Sequence, residues 1–367
     1  MILNSIKVLL ISLIVPTILF GDDYSFDIDE LDTIDVKNYE YSGYLKGEYK
    51  YLNLNNQPNS NSYIGEAMVD FKYFKEKFTF NSEFMINYQN IDHIEDNSRT
   101  VNQLYLNYKH NENHRINIGK ISSKWGKGYF FNPIAFIDRK KDPNNPELTK
   151  EGYELLGYKY NKVFKNFNLK NFAFDLIYFP TSQNQNDDFY DKASNNIALK
   201  SYFLYFDTDI DIAYLYSGKL ANKLGIDFST NLETNFELHG EAVRDSDGLY
   251  SYLIGIKYLT ISDLTITSEY FYQNEILNQT EPFWDNRYFL NKFSQKEPFD
   301  ILYSSVYFKN SLNIDDHSYQ NILGVTYSFK NNIDLDISIG DNYGKELSEY
   351  GSKRVDKFFS FESKWSF

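Results

Sequence analysis

The sequence predicts an all-β fold: a transmembrane, antiparallel, up-and-down β-barrel of about 16 strands, with 18 as the alternative. Three observations predict it. Apolar and polar residues alternate with period 2 from Tyr39 to the C-terminus, and that spacing puts the two sets on opposite faces of a strand. Aromatic residues make up 18% of the chain, with 33 Tyr and 31 Phe, and they fall heavily on the apolar set; membrane barrels gather such side chains at both bilayer interfaces. Finally, short turns alternate with long polar loops along the chain, as they do in bacterial barrels.

The elements follow in order. Residues 1–21 read as a secretory signal peptide: Lys7 gives an early positive charge, Val8 to Phe20 is apolar, and Gly21 is small enough for a cleavage point. The 13-residue run, interrupted by Pro16, falls short of the roughly 20 that a spanning helix needs. Residues 22–38 hold seven acids and one Lys and read as a solvated periplasmic lead-in, with a short helix plugging the lumen as the alternative. The barrel is expected over 39–367.

Its first strand, Tyr39–Tyr51, sets Tyr39, Tyr41, Leu45, Tyr49 and Tyr51 against Glu40, Lys46, Glu48 and Lys50. The second, Tyr63–Tyr73, sets Tyr63, Ala67, Val69, Phe71 and Tyr73 against Glu66, Asp70 and Lys72. The third, Phe78–Tyr88, sets Phe78, Phe80, Phe84, Ile86 and Tyr88 against Thr79, Asn81, Glu83 and Asn87. Further strands are expected at Val101–Lys109, Arg115–Ile121, Tyr153–Tyr160, Asn168–Phe179, Ile197–Phe206, Asp209–Ser217, Lys223–Leu232 and Asn235–Val243. The series closes with Leu249–Leu259, Asp263–Gln273, Tyr319–Phe329, Asn332–Gly340 and Lys357–Phe367. Long loops are expected at 52–62, 89–100, 122–152, 180–196, 218–222, 244–248, 274–318 and 341–356, with short turns between. An even strand count puts both ends of the barrel on the short-turn, periplasmic side. The prolines after the leader fall outside these strands or at their ends, as the missing N–H requires. A soluble sandwich alternates too, but its buried face is Val, Leu and Ile rather than Tyr and Phe, and its other face does not have to carry a wet interior.

Composition excludes several functions. No Cys means no disulfide framework, thiolate metal site or cysteine nucleophile. Five scattered His leave little for a zinc site, so no cofactor and no metal are expected. A net charge of −14 is wrong for a nucleic-acid partner. Catalytic readings are thin. His317 and Ser318 are adjacent in a loop, Glu237, His239 and Glu241 share one strand face, and Asp245-Ser246-Asp247-Gly248 begins like a calcium loop without its later ligands. No enzyme is expected.

The chain ends KFFSFESKWSF, with Phe359, Phe361, Trp365 and Phe367 alternating. A terminal strand closing on a C-terminal Phe resembles the insertion signal of Gram-negative outer-membrane porin-like barrels. The third long loop, SSKWGKGYFFNPIAFIDRKKDPNNPELTKEG over 122–152, is similar in position and length to the loop that folds into the barrel and narrows it in general porins. It lacks their Pro-Glu-Phe-Gly-Gly signature, so no constriction residue carries over. The resemblance implies a bacterial outer-membrane location and contact with outer-membrane lipid and lipopolysaccharide. It also implies delivery by the barrel-assembly machinery through Phe367, and it leaves a homotrimer open.

Pore selectivity comes from the charges that line a channel. Among wall acids and bases the expected set includes Glu66, Asp70, Glu83, Asp227, Glu237, His239, Glu241, Lys257 and Glu269, with acids in excess. The loop opposes them with Lys124, Lys127, Arg139, Lys140 and Lys141, interleaved with Asp138 and Asp142 and accompanied by Trp125. If the loop enters the lumen, Arg139, Lys140 and Lys141 face the acidic wall across an eyelet; otherwise the loop is an internally paired surface segment. Loop 274–318, rich in aromatics, is expected to cap the mouth or to hide one more hairpin. The expected function is passive diffusion of small hydrophilic solutes with mild cation preference. The alternatives are a selective channel for sugars or apolar compounds through the aromatic loops, or a surface-binding barrel. No globular plug precedes the first strand, which argues against an energised importer.

Overall fold

Each alternating segment needs a hydrogen-bonded neighbour on both edges, because an open edge is not tolerated in a bilayer. In the computed structural model the chain meets that need by closing on itself. The structure describes residues 37–367 apart from 56–57, 92–93, 149, 166–167, 234, 275–286 and 354. The expected leader and most of the acidic lead-in therefore lie outside the described residues.

Eighteen strands form one antiparallel sheet in sequence order. They are β1 (Tyr39–Leu54), β2 (Ser60–Lys75), β3 (Phe78–Ile91), β4 (Ile94–Lys109), β5 (His114–Ile121), β6 (Tyr153–Val163), β7 (Leu169–Thr181), β8 (Ser194–Tyr205) and β9 (Thr208–Ser217). The second half is β10 (Lys223–Glu233), β11 (Phe236–Asp245), β12 (Tyr250–Leu259), β13 (Leu264–Gln273), β14 (Arg287–Lys296), β15 (Ser304–Asn313), β16 (Ser318–Ser328), β17 (Ile333–Tyr343) and β18 (Val355–Ser366). β1 pairs with β18 from Tyr44↔Ser366 to Leu54↔Val355, and that seam makes the barrel.

Among the described residues the count is 18, the alternative to the 16 expected first. The extra pair is the hairpin β14–β15, which lies inside the expected loop 274–318 and pairs with β13 on one side and β16 on the other. The expected loop 89–100 is also shorter than its sequence suggested: β3 and β4 run on to Ile91 and Ile94, still paired. Their extension carries Glu95, Asp96, Asn97, Ser98 and Arg99, polar on both faces. That pattern suits a hairpin rising beyond the apolar belt, where no hydrocarbon demands alternation.

The outer face is apolar and exposed, as Leu45, Val69, Ile86, Ile118, Ile226, Ile254, Val325 and Ile339 illustrate. Ring pairs fringe it at both ends. Phe78–Tyr108, Phe236–Tyr258 and Trp365–Phe367 lie towards the short turns, with centroids 5.0, 6.0 and 5.3 Å apart. Tyr49–Tyr63, Tyr250–Tyr272 and Tyr319–Tyr343 lie towards the loops, at 5.4, 5.5 and 5.0 Å. Large apolar groups outside and charges inside is the reverse of a soluble fold, and it suits a barrel in lipid around an aqueous lumen. The tight turn Phe206–Asp207 joins β8 to β9 with both residues at positive φ (46° and 59°), the hand that matches strand twist in a two-residue hairpin.

Candidate pore constriction

The buried apolar core of this barrel sits inside it, where loop 122–152 packs on the wall. Ile134, Phe136 and Ile137 meet the inward side chains Ile177 and Phe179 of β7, Ala198 of β8, and Ala213 and Leu215 of β9. The wall makes room with small residues. A Cβ on Gly225 of β10 would stand 2.8 Å from Cγ1 of Ile134 and 3.0 Å from Cζ of Phe136. Trp125, 2% exposed, packs edge-on against Phe136, and the Lys200 ammonium lies 5.6 Å from its ring centroid. A second cluster stacks Phe131 on Phe271 of β13 at 4.2 Å and sets Phe130 among Leu253, Tyr288 and Leu290.

Backbone polarity inside such a contact must find partners. Two wall carboxylates supply them. Glu241 of β11 accepts the N–H groups of Lys127 and Gly128 on Oε1, at 2.6 and 2.7 Å, and that of Ile134 on Oε2 at 3.0 Å. Glu269 of β13 accepts Phe130 and Phe131 N–H on Oε2, at 3.0 and 3.3 Å, and Tyr129 N–H on Oε1. His239 Nε2 lies 3.0 Å from the same Oε1. Gly255 of β12 leaves space for this His–Glu pair, since a Cβ there would fall 2.7 Å from Glu269 Cγ and closer still to the imidazole. On the other side of the loop segment, Lys141 Nζ donates to the Gly128 carbonyl. Burial pushes Lys141 below its ordinary pKa, while Glu269, Glu241 and Asp138 pull it back up.

The structure brings most of the sequence-derived wall residues of β10–β13 together beneath this loop. Tyr129 donates to Glu237 at 2.9 Å, and Lys257 lies 3.3 Å from the same hydroxyl and 4.7 Å from the ring centroid. Asp227 is fully buried, neither carboxylate oxygen has a hydrogen-bond partner, and its strand partners are Asp211 and Glu241. Lys127 forms an ion pair from loop to wall, 3.2 Å from Asp211, which Lys200 also approaches at 3.6 Å. Burial works against the Lys127 ammonium, but Asp211, Asp227 and Asp209 outweigh it and hold its pKa above the ordinary value.

The other loop charges lie elsewhere. Arg139 pairs with Glu151 at 3.2 Å and with Asp188 of the 182–193 loop, stacking 5.2 Å from the Tyr153 ring. Asp138 accepts the Ser123 and Trp125 N–H groups at 2.7 and 2.8 Å, tying the loop to itself. Asp142 accepts the Asn144 N–H at 2.9 Å, and Lys124 and Lys140 are exposed. Glu66, Asp70 and Glu83 form a separate group on β2–β3: Glu66 with Tyr44 and Lys46, Asp70 with Lys72, and Glu83 with Asn102 and Gln103.

Sequence reasoning missed Gly225, Gly255, Ala198 and Ala213. The available signal was a small residue at an inward position of a strand whose neighbours are large. It also missed Asn186, whose amide bridges the Glu154 and Pro180 carbonyls, at 2.9 and 2.8 Å, beside the loop's end.

No family model matches the chain, and no match is found among curated proteins. Solved structures do match. Pseudomonas aeruginosa OccK5 (OpdH) is similar at 8% identity and a TM-score of 0.61, covering 90% of this chain and 98% of its own. Escherichia coli Wzi, an outer-membrane protein involved in group 1 capsule assembly and a carbohydrate-binding β-barrel, matches at 11% identity and a TM-score of 0.57, covering 90% of this chain and 85% of its own. A porin of Rh. blastica matches at 10% identity and a TM-score of 0.50, covering 90% of this chain and 100% of its own.

Proposed function

We propose that the chain is an outer-membrane porin, a passive channel for small hydrophilic solutes with mild cation preference. One observation carries the reading: a closed barrel has a charged inner wall that stays wet. Lys72 and Lys159 face inward and still expose 43% and 41% of their side chains, as a water-filled lumen allows and a packed core does not. The docked loop narrows that lumen from the side of β7–β15. The opposite wall, β16–β18 and β1–β4, keeps Lys46, Lys50, Glu48, Asp70 and Lys72 beside the water path. The porin of Rh. blastica shares the fold, and its name supports the same reading. On this reading the outer belt contacts phospholipid and lipopolysaccharide, Phe367 addresses the chain to the barrel-assembly machinery, and the chain acts as a channel rather than an enzyme.

The test is electrical. Folded protein added to a planar lipid bilayer is expected to raise conductance in discrete steps. A bilayer that stays silent, although the same sample shows the heat-modifiable migration of an intact barrel, defeats the proposal.

A second reading is a selective channel for sugars or apolar compounds, favoured by the carbohydrate-binding Wzi barrel and by the aromatic loop. The packing argues for the first reading. Trp125, Phe130 and Phe136 are buried against the wall, so those rings are unavailable as a slide for solute. Current blocked saturably by a sugar would reverse that order.

A further inference from the structure

Six consecutive or near-consecutive main-chain N–H groups of one loop, at 127–131 and 134, point at just two wall side chains. We propose that Glu241 and Glu269 are positioning residues that hold the constriction loop retracted against the barrel wall and so keep the channel steadily open. The inference deepens the porin reading and rests on it for the channel's behaviour, but the docking itself is separately testable.

The argument runs through donors and acceptors. The loop has no ladder here, so these N–H groups have neither strand nor helix to satisfy them. A carboxylate offers about four lone-pair sites, and hydrogen bonds to a charged acceptor are the strong ones. A neutral amide in the same place keeps one acceptor oxygen and turns a pair of N–H donors towards a ring of N–H donors. The shape is unchanged, yet the site becomes repulsive.

The contact uses loop backbone rather than loop side chains, and both partners are shaped for it. Gly126 has φ +100°, and a Cβ there would lie 2.7 Å from Glu241 Oε1. On the wall side, Gly255 leaves the space that Glu269 and His239 fill. The carbonyl side of the segment is held separately by Lys141. Without these bonds the 31-residue loop between Ile121 and Tyr153 keeps its apolar packing and side-chain contacts such as Lys127 with Asp211, but its 127–134 backbone loses its acceptors, and that stretch is expected to fluctuate across the water path.

The experiment compares Glu241→Gln, Glu269→Gln and the double variant with the parent chain, all carrying Trp284→Phe and Trp365→Phe so that Trp125 reports alone. Heat-modifiable migration first establishes that each barrel is closed. Acrylamide quenching of Trp125 then reads loop docking, and single-channel recording reads the current. The expected result is a closed barrel in every variant, severalfold stronger quenching, and a steady open level replaced by flicker to lower conductance. Gly126→Ala, which attacks the same contact from the loop side, is expected to reproduce both effects. Closed barrels with parental quenching overturn the proposal. So do variants with exposed Trp125 and undisturbed current, because the loop then has no hold on the pore. If the parent itself never conducts, the porin reading fails, while the quenching result still decides whether these carboxylates dock the loop.

Discussion

Glu349 shows how one buried carboxyl shapes a loop outside the membrane. It lies in the segment joining β17 to β18, where Asn313 Nδ2 donates to it at 2.9 Å and its own N–H donates to Asp316 at 2.6 Å. Burial raises its pKa above the ordinary carboxylate value, and hydrogen bonds from Asn313 and Tyr288 offset only part of that. The sign follows from linkage. A carboxyl with a raised folded pKa stabilises fully below its unfolded value, and that contribution is lost as pH rises through the folded value. Amides of this loop with defined acceptors, such as Ser348 to the Lys345 carbonyl and Ser352 to the Ser348 carbonyl, both 2.9 Å, are therefore expected to be better protected from hydrogen exchange near pH 4.5 than near pH 7.5, once intrinsic rates are corrected. Glu349→Gln keeps an acceptor oxygen and removes the charge, so it should raise protection at the higher pH and flatten the dependence. The Gln variant isolates the contribution of the Glu349 carboxyl itself. Protection that grows with pH in the parent chain and is untouched by the substitution would refute this account.

Among the elements, the seam between β1 and β18 carries the fold's closure. Its last rungs are the paired bonds between Gly43 and Phe367, each 3.0 Å, and a Cβ on Gly43 would fall 2.7 Å from the Phe367 ring and closer still to the Met68 carbonyl of β2. Gly43→Val should therefore displace the terminal ring, lower the yield of the fast-migrating folded form severalfold in vesicle refolding, and leave the unfolded band unchanged in position. A normal yield would mean that closure tolerates a side chain against both the Phe367 ring and the Met68 carbonyl. The same elements show what a period-2 pattern can and cannot reveal. Lipid on one side and water on the other made β1, β2 and β3 legible from residue type alone. The hairpin β14–β15 was hidden because its inward positions include Tyr288 and Leu290, apolar where a wet wall should be polar, since they pack against the loop. Its outward row includes Asn291 paired with Asn310, polar where lipid was expected. The extended ends of β3 and β4 were hidden for the opposite reason, being polar on both faces. In the candidate constriction, the charged residues were visible, but their pairing was not. Basic side chains drew attention to Arg139–Lys141, whereas six of the contacts to the wall carboxylates are made by backbone, which carries no signal in residue identity.

For the whole molecule, the proposed cation preference is mild although the interior carries more acids than bases, and the placement of those acids gives the reason. Two groups of acids stand out. Asp211, Asp227, Glu241 and Glu269 lie under the loop with at most 3% exposure, facing amides, lysines or one another rather than solute. Three of the wetted acids sit beside lysines: Glu48 by Lys50 at 2.8 Å, Asp70 by Lys72 at 3.6 Å, and Asp175 by Lys159 at 3.3 Å. Part of the water path is thus bordered by near-neutral pairs, and each pair's field largely cancels within a Debye length of about 8 Å at physiological salt. A single unpaired charge is different. At about 8 Å through water it changes an ion's energy by about 0.5 kcal/mol, roughly a factor of two in local concentration. Removing the basic member of two pairs, with Lys50→Gln and Lys72→Gln, should move the zero-current potential in a salt gradient clearly towards cations. Glu48→Gln with Asp70→Asn should move it towards anions. Asp227→Asn, beneath the loop, should leave it where it was. If the two wetted pairs prove silent and the covered Asp227 controls the potential, then selectivity is set through the loop and not along the open wall.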